Sequence, residues 1–435
     1  MQDTIFALAS GSLGCGVAVV RVSGPQSTRI LERFCGGHVA ARHAAYKSIR
    51  DPRDGELIDT GLVLLFQGPA SFTGEDCLEF QIHGSRAGVA RLFAALHAED
   101  GCRLAEPGEF IRRAFENDKL PLTSVEGIAD LIDARTEAQR KQALAQAGGH
   151  LADQASVWRD ELLDAFSLLE AEIDFADEGD APSAVMPEVR RVLAELELSL
   201  QRALVDAERG ERIRSGFRIA LAGHPNAGKS SLMNTLVRRD VAIVSEHAGT
   251  TRDVIEVEFD LGGYSVIVAD TAGLRATSDP VEAIGVERTR QELHRADLVL
   301  WLEDVASLSC VPEAGDAVVV KIATKMDLVS DLPRWADLGI SVKSGLGIEA
   351  LMSFLSVKAA EYLSGEPPLI TNLRQKACIE TAARHLQKAM SHQDQALELV
   401  AEDLRRAAGD LEALMGRIGV EDILGSIFSR FCMGK

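Results

Sequence analysis

The chain has 435 residues, of which 46% are hydrophobic and 26% charged, and its formal net charge is −20. That length exceeds one compact core and predicts about two to four domains, and the balance of apolar and charged residues excludes a disordered or fibrous chain. No apolar run reaches the roughly 18–20 residues of a membrane span, and no segment is net basic, which argues against a stand-alone nucleic-acid binder while leaving an RNA substrate open.

From the N-terminus, Met1-Gln2-Asp3-Thr4 has no basic region ahead of its apolar stretch, so no secretory signal is expected. Residues 1–118 combine short β-like runs (17–22, 61–66 and the period-two run 77–82) with a helical spacing over 86–97, which predicts an α+β domain. From 119 to 214 glycine becomes rare and Ala, Leu, Glu and Arg dominate. Trp158, Leu162, Phe166 and Leu169 recur at helical steps, and the same texture returns over 366–435 in Leu397, Val400, Leu404, Ala407, Leu411 and Leu414. Each stretch has an apolar stripe that needs a partner, so the two are expected to pack as one discontinuous helical domain. Between them, residues 215–365 alternate strand-like runs (217–222, 264–269, 297–302, 317–323) with helical stretches, which predicts an inserted parallel α/β domain. The cysteines are scattered without a Cys-x-x-Cys pair. No zinc knuckle or disulfide framework is expected, and a reducing cytosol is the natural setting.

The inserted segment carries the sharpest chemistry. A strand candidate at 217–222 runs into Gly223-His224-Pro225-Asn226-Ala227-Gly228-Lys229-Ser230 and then a helix. This is G-x-x-x-x-G-K-[ST] in the strand–loop–helix setting it requires. Glycines let backbone N–H groups turn in around phosphate oxygens while the helix points its positive end at the same anion. Lys229 is expected to bridge the β- and γ-phosphates and Ser230 to hold Mg²⁺. Asp270-Thr271-Ala272-Gly273 then ends a strand as a D-x-x-G does, and Thr324-Lys325-Met326-Asp327 ends another where GTPases carry [NT]-K-x-D. The carboxylate of Asp327 can accept both N1–H and the exocyclic amine of guanine, a donor pair adenine lacks. Ser341-Val342-Lys343 fits the last base-contacting loop. One threonine of Gly249-Thr250-Thr251-Arg252-Asp253 should complete the Mg²⁺ shell when a γ-phosphate is present. The position after D-x-x-G is Leu274, which cannot orient water, so another group must. Asn226 is placed to accept a cation beside the phosphates, and a monovalent ion there could supply transition-state charge.

From end to end the chain resembles the bacterial MnmE (TrmE) family of tRNA-modification GTPases. The resemblance rests on Val20-Arg21-Val22-Ser23-Gly24, Ser71-Phe72-Thr73-Gly74-Glu75-Asp76, Pro107-Gly108-Glu109-Phe110, Asn117-Asp118-Lys119-Leu120 and Ala129-Asp130-Leu131-Ile132-Asp133-Ala134. To these it adds the P-loop, 249–253, 270–274 and the terminal Phe431-Cys432-Met433-Gly434-Lys435. It implies an N-terminal folate-binding and dimerisation domain (1–118), a discontinuous helical domain (119–214 and 366–435) and an inserted P-loop GTPase domain (215–365). It implies a homodimer that acts with the FAD-dependent protein MnmG (GidA), in a heterotetramer or larger complex. Together they place a carboxymethylaminomethyl- or aminomethyl-type group on C5 of the wobble uridine of certain tRNAs. A tetrahydrofolate, as the 5-formyl or 5,10-methylene form, belongs to that chemistry and supplies the carbon.

Residue by residue, the resemblance puts Arg21, Glu79, Lys119 and Lys435 on the folate, and Glu282 on the attacking water, which answers Leu274. Asn226, Ser245, His247 (through its carbonyl) and Thr250 match the potassium loop, and Ser230 and Thr251 fall to Mg²⁺. The expected GTP-binding set is Asn226, Ala227, Gly228, Lys229, Ser230, Ser231, Ser245, Glu246, His247, Ala248, Gly249, Thr250, Thr251, Asp270, Thr271, Ala272, Gly273, Thr324, Lys325, Asp327, Ser341, Val342 and Lys343, with Lys229 and Glu282 catalytic. Two positions depart from the family: Thr324 stands for the usual Asn and Met433 for the usual Ile. A competing reading is a GTP-regulated ribosome or RNA assembly switch. Its relatives usually carry a basic RNA-binding module, which no segment here supplies.

Overall fold

The structure, a computed structural model, describes residues 3–174, 185–224, 226–238, 242–243, 255–270, 292–306, 317–392, 397–417, 427–428, 431 and 434. Two compact units emerge. One joins Met1–Ala129 with Ala152–Arg159 and Gly409–Lys435, and the other joins Asp130–Leu151 with Asp160–Ala408.

In the first unit, β1 (Thr4–Leu8), β2 (Ala18–Ser23), α1 (Ser27–Cys35), β3 (Ala45–Arg50), β4 (Leu57–Phe66), β5 (Cys77–Ile82), α2 (Arg86–His97) and β6 (Cys102–Leu104) build a six-stranded sheet of order β3-β4-β5-β2-β1-β6. Alternation decides its faces. Val20, Val22, Val63, Leu78 and Phe80 point inward and meet Ile30, Leu31 and Phe34 of α1 and Leu92 and Leu96 of α2. The opposite face carries Arg21 and Glu79, directly opposed across β2 and β5. Near β1 that face is covered, because Ile5 and Ala7 pack on Ala105 and on Phe110 of α3 (Glu109–Glu116). β4 begins four residues before the apolar run read from the sequence, because the polar stretch Asp59–Thr60 pairs with Ile49 and Ser48 and still extends the ladder. α4 (Leu122–Asp133) follows, and its Leu122 and Val125 pack with Ile111, Ile427, Phe428 and Phe431, which ties the end of the chain to this unit.

The second unit contains α5 (Glu137–Ala147), most of α6 (His150–Asp174) and α7 (Val185–Ser215). Val189, Leu193, Leu196, Leu200, Ala203, Ala207 and Gly210 are buried along α7 in alternating steps of four and three, the seam of a helix that lies along a partner. The sheet elements come next: β7 (Phe217–Gly223), α8 (Lys229–Val237), β8 (Ala242–Ile243), β9 (Ile255–Leu261), β10 (Tyr264–Asp270), β11 (Leu298–Asp304), β12 (Val318–Thr324), β13 (Leu338–Gly339) and α9 (Ile348–Leu363). α10 (Leu373–Ser391) packs on α7, and Arg190 donates to the carbonyls of Met390 and His392, at 2.8 Å each. α11 (Leu397–Met415) belongs to this unit as far as Ala408. On α6 the buried stripe is Trp158, Leu162, Ala165 and Leu169. Phe166 lies beside it, with the Arg405 guanidinium 5.4 Å from its ring centre.

The seven-stranded sheet has the order β13-β12-β11-β7-β10-β9-β8. The five strands from β13 to β10 are parallel, as expected, but β9 runs antiparallel to both of its neighbours, β10 and β8. The core on one side sets Phe217, Leu221, Val268, Leu300 and Ile322 against Leu232 and Leu236 of α8 and Leu351 and Leu355 of α9. Every parallel strand therefore delivers its C-terminal end to one edge, the edge where open α/β sheets bind ligands. Among the described residues no helix is long and apolar enough to cross a membrane.

Candidate active site

At that edge β7 turns into the phosphate-binding loop. Gly223 has φ +141° and a side chain there would meet the Leu302 carbonyl at 2.1 Å, so only glycine lets β7 lie this close to β11. Asn226 and Gly228 also have positive φ, 67° and 93°, which folds the loop back toward the start of α8. Gly228, the N-cap of α8, has no side chain with which to cap the helix, so first-turn N–H groups are left for the loop side, as an anion site requires. Lys229 is 7% exposed, and its Nζ donates to the carbonyls of Gly223 and His224 at 2.6 and 2.8 Å. Burial pushes its ammonium below the ordinary lysine value, and the charge of Asp270 pulls it back up. Ser230 Oγ donates to Asp270 Oδ2 at 3.1 Å. A hydroxyl from the helix and a carboxylate from the end of β10 thus share one point beside the loop, the donor pair a hard divalent cation takes.

Two strands away a second pocket forms. Lys325 sits at φ +60° after β12, and a 3₁₀ turn, Met326–Leu328, presents Asp327. Ser341 Oγ donates to Asp327 Oδ1 at 2.7 Å, which holds the exposed carboxyl below its usual range. The Ile340 carbonyl accepts Met326 N–H at 3.1 Å, and Ile340 N–H donates to the Ala323 carbonyl at 2.8 Å, so the Asp327 turn and the 341–343 loop are stitched together. Val342 is half-buried and Lys343 exposed beside them. Lys325 Nζ pairs with Asp304 at the end of β11. Thr324 Oγ1 donates to the Glu303 carbonyl at 3.1 Å, so this hydroxyl ties β12 to β11.

The structure therefore brings Asn226, Ala227, Gly228, Lys229, Ser230, Ser231, Asp270, Thr324, Lys325, Asp327, Ser341, Val342 and Lys343 to one sheet edge. Ser245, Glu246, His247, Ala248, Gly249, Thr250, Thr251, Thr271, Ala272, Gly273, Leu274 and Glu282 lie outside the described residues. Two contacts escaped the sequence reading. Asp304 holds Lys325, and Trp301 meets the His224 ring edge-on at 5.7 Å. Only an acidic residue closing a strand, and an aromatic in β11, hinted at them.

In the first unit, Arg21 and Glu79 are bonded to each other at 3.0 Å and half-buried. The Arg21 guanidinium lies 5.3 Å from the ring centre of Phe72 and 5.8 Å from that of Phe110. Lys119 is exposed, and its chain passes within 3.3 Å of where a Gly74 side chain would begin. Asn117 Nδ2 donates to the Thr73 carbonyl at 2.7 Å, which fastens the 117–119 turn to the 71–76 loop. Arg21, Glu79, Phe72 and Lys119 thus frame one polar and aromatic surface. Buried Gly434 has φ +99° and would place any side chain 2.0 Å from the Leu8 carbonyl, so the chain's end is seated on β1. Cys432 and Lys435 lie outside the described residues.

Residues 4–119 match the family model described as the GTP-binding protein TrmE N-terminus, and residues 122–432 match the MnmE helical domain. A curated tRNA modification GTPase MnmE from Caulobacter vibrioides is 49% identical over 450 residues, covering 100% of both chains. One from Rhodopseudomonas palustris (strain BisB5) is 48% identical over 459 residues, covering 100% of this chain and 99% of its own. Among solved structures, the G domain of the T. maritima FeoB iron transporter aligns with 34% of this chain and 99% of its own, at 26% identity and a TM-score of 0.25.

Proposed function

The chain belongs to the MnmE (TrmE) family of tRNA-modification GTPases, and from that premise we propose that its Mg²⁺- and K⁺-dependent hydrolysis of GTP drives C5 modification of the wobble uridine of certain tRNAs. It does so as a homodimer, with MnmG (GidA) as FAD-containing partner and a tetrahydrofolate as one-carbon donor. The observation that carries this reading is the single sheet edge on which Lys229, the Ser230–Asp270 pair and the Ser341–Asp327 pair meet.

Lys229, held at the loop by the Gly223 and His224 carbonyls, would bring its charge to the β- and γ-phosphates, and a positioned charge of this kind favours the transition state. Ser230 and Thr251 would hold Mg²⁺, with Asp270 beside Ser230, and the ion would supply charge neutralisation to the phosphates. Asp327, preset by Ser341, accepts the guanine N1–H and N2–H donors, and Lys325 stands beside it. Asn226, with Ser245, His247 and Thr250, would hold K⁺, and Glu282 orients water. Arg21, Glu79, Lys119 and Lys435 would hold the folate, whose chemistry is one-carbon supply. The open sheet face with exposed Tyr46 and Leu62 supports a second copy of the chain as its cover.

Steady-state GTP hydrolysis in KCl and in NaCl at equal ionic strength tests the cation assignment. Turnover should be at least about tenfold faster in KCl, as expected when a fixed charge serves the transition state, and Asn226→Ala should erase the difference. Equal rates in the two salts would overturn it.

A further inference from the structure

β9 and β10 pair along their whole length, from Leu261↔Tyr264 at the turn to Ile255↔Asp270 at the far end. Such a ladder is about 20 Å long and moves as one piece. Its far end carries Asp270, hydrogen-bonded to Ser230, and β9 follows directly on the 249–253 run.

Its near end, the Gly262–Gly263 turn, docks on a helix. The Gly263 carbonyl accepts the Ala138 N–H at 2.9 Å. Ala138 lies in the first turn of α5, where N–H groups have no partner within the helix. The next amide, Gln139, is taken by the N-cap hydroxyl of Thr136. The hairpin thus completes the cap of α5. A second attachment lies just ahead of the cap, where Arg135 Nη1 pairs with Glu258 Oε2 at 2.7 Å. The other oxygen of Glu258 accepts buried Ser265 Oγ at 2.7 Å, so Glu258 is fixed from within the hairpin. α5 in turn grips α7. Gln139 Nε2 donates to the Arg214 carbonyl at 3.2 Å and Gln142 Nε2 to that of Gly210 at 2.9 Å. A cleft of about 170 Å³, bordered by Lys141, Tyr264, Glu366 and Pro367, opens beside the junction, so the turn is held by these polar contacts with room to shift.

We propose that the β9–β10 hairpin is a lever that reports the state of the nucleotide site to α5, with Gly263–Ala138 and Glu258–Arg135 as its two attachments. The proposal rests on the GTP reading above. A ligand that replaces the Ser230–Asp270 hydrogen bond displaces one end of the ladder, and the paired strands carry that displacement to the cap of α5. The two nucleotide states then differ in how well α5 is capped, which is a coupling free energy between the sites.

Amide exchange over residues 135–142 in the full chain tests this, with saturating GDP or a non-hydrolysable GTP analogue in Mg²⁺ and K⁺. In the wild type, exchange in the first turn of α5 should differ between the two nucleotides. Arg135→Glu and Glu258→Arg should each reduce that difference about two- to fivefold, the scale of a partly exposed ion pair, with nucleotide affinity unchanged. The double reversal should restore it. Equal exchange in both saturated states, or a difference untouched by either reversal, overturns the lever. Failure of either nucleotide to saturate overturns the GTP reading itself and the lever with it.

Discussion

Ser341 fixes the carboxylate of Asp327. Its hydroxyl, 2.7 Å from Oδ1, orients the carboxylate before any ligand arrives. A hydrogen bond to a charged group contributes about 1.5–3 kcal/mol, so Ser341→Ala should weaken guanine-nucleotide affinity roughly ten- to a hundredfold, read by calorimetry, while Lys229 chemistry is left in place. An unchanged affinity would mean that Asp327 orients itself. Glu282 is a different kind of residue, since its role comes from resemblance alone. Glu282→Ala should keep GTP binding and lose about a hundredfold or more in single-turnover hydrolysis, the usual scale for losing a proton-handling or water-orienting group. Retained turnover would return it to an ordinary surface acid. The placement of Lys229, Ser230, Asp270 and Asp327 at the strand ends was legible in the sequence because each sits in a local run that closes or directly follows an apolar strand. Asp304 and Trp301 were not. They reach Lys325 and His224 only through the registers of β11 with β12 and β7, and no local spacing encodes those registers.

Among the elements, α3 shows how a charged network holds a motif in place. Glu109, 2% exposed, receives Arg103 and Arg113 side chains and the Glu106 N–H, and Arg113 reaches on to Glu75. Burial would raise the Glu109 pKa, but these donors, Arg103 foremost, bring it down to about 2. A carboxyl whose folded pKa is depressed stabilises the fold above its unfolded value, and that contribution is lost as pH falls toward the folded one. Glu109→Gln should therefore cost up to about 3 kcal/mol at pH 7, a penalty that shrinks between roughly pH 4.5 and 2. Amide exchange of β1 to β6 in the full chain, followed with pH, reads this, and a pH-independent penalty would contradict it. Helices and parallel strands were legible because their periods are long or their runs unbroken. β9 was missed although Ile255, Val257 and Phe259 alternate with Glu256, Glu258 and Asp260 ahead of a Gly-Gly turn. It is a half-solvated strand beside a short edge strand, and its acidic residues masked the apolar half of the pattern. Phe166 looked like part of a buried stripe because Ala165 next to it is a weak hydrophobic signal, yet the smaller residue is the one the core accepts.

For the whole molecule, the net charge of −20 and the absence of a net basic segment mean that this chain is a poor phosphate-binding surface by itself. On the function proposed above, a tRNA substrate would be engaged jointly with a partner that supplies the positive charge. The central claim, that GTP turnover at Lys229 serves wobble-uridine modification, is tested most directly by mass-spectrometric nucleoside analysis of tRNA from a strain lacking this protein. C5-aminomethyl-type uridines should disappear in that strain, return with the wild-type chain and stay absent with Lys229→Ala. The same nucleosides persisting in the deletion strain, or returning fully with the Lys229 variant, would contradict it.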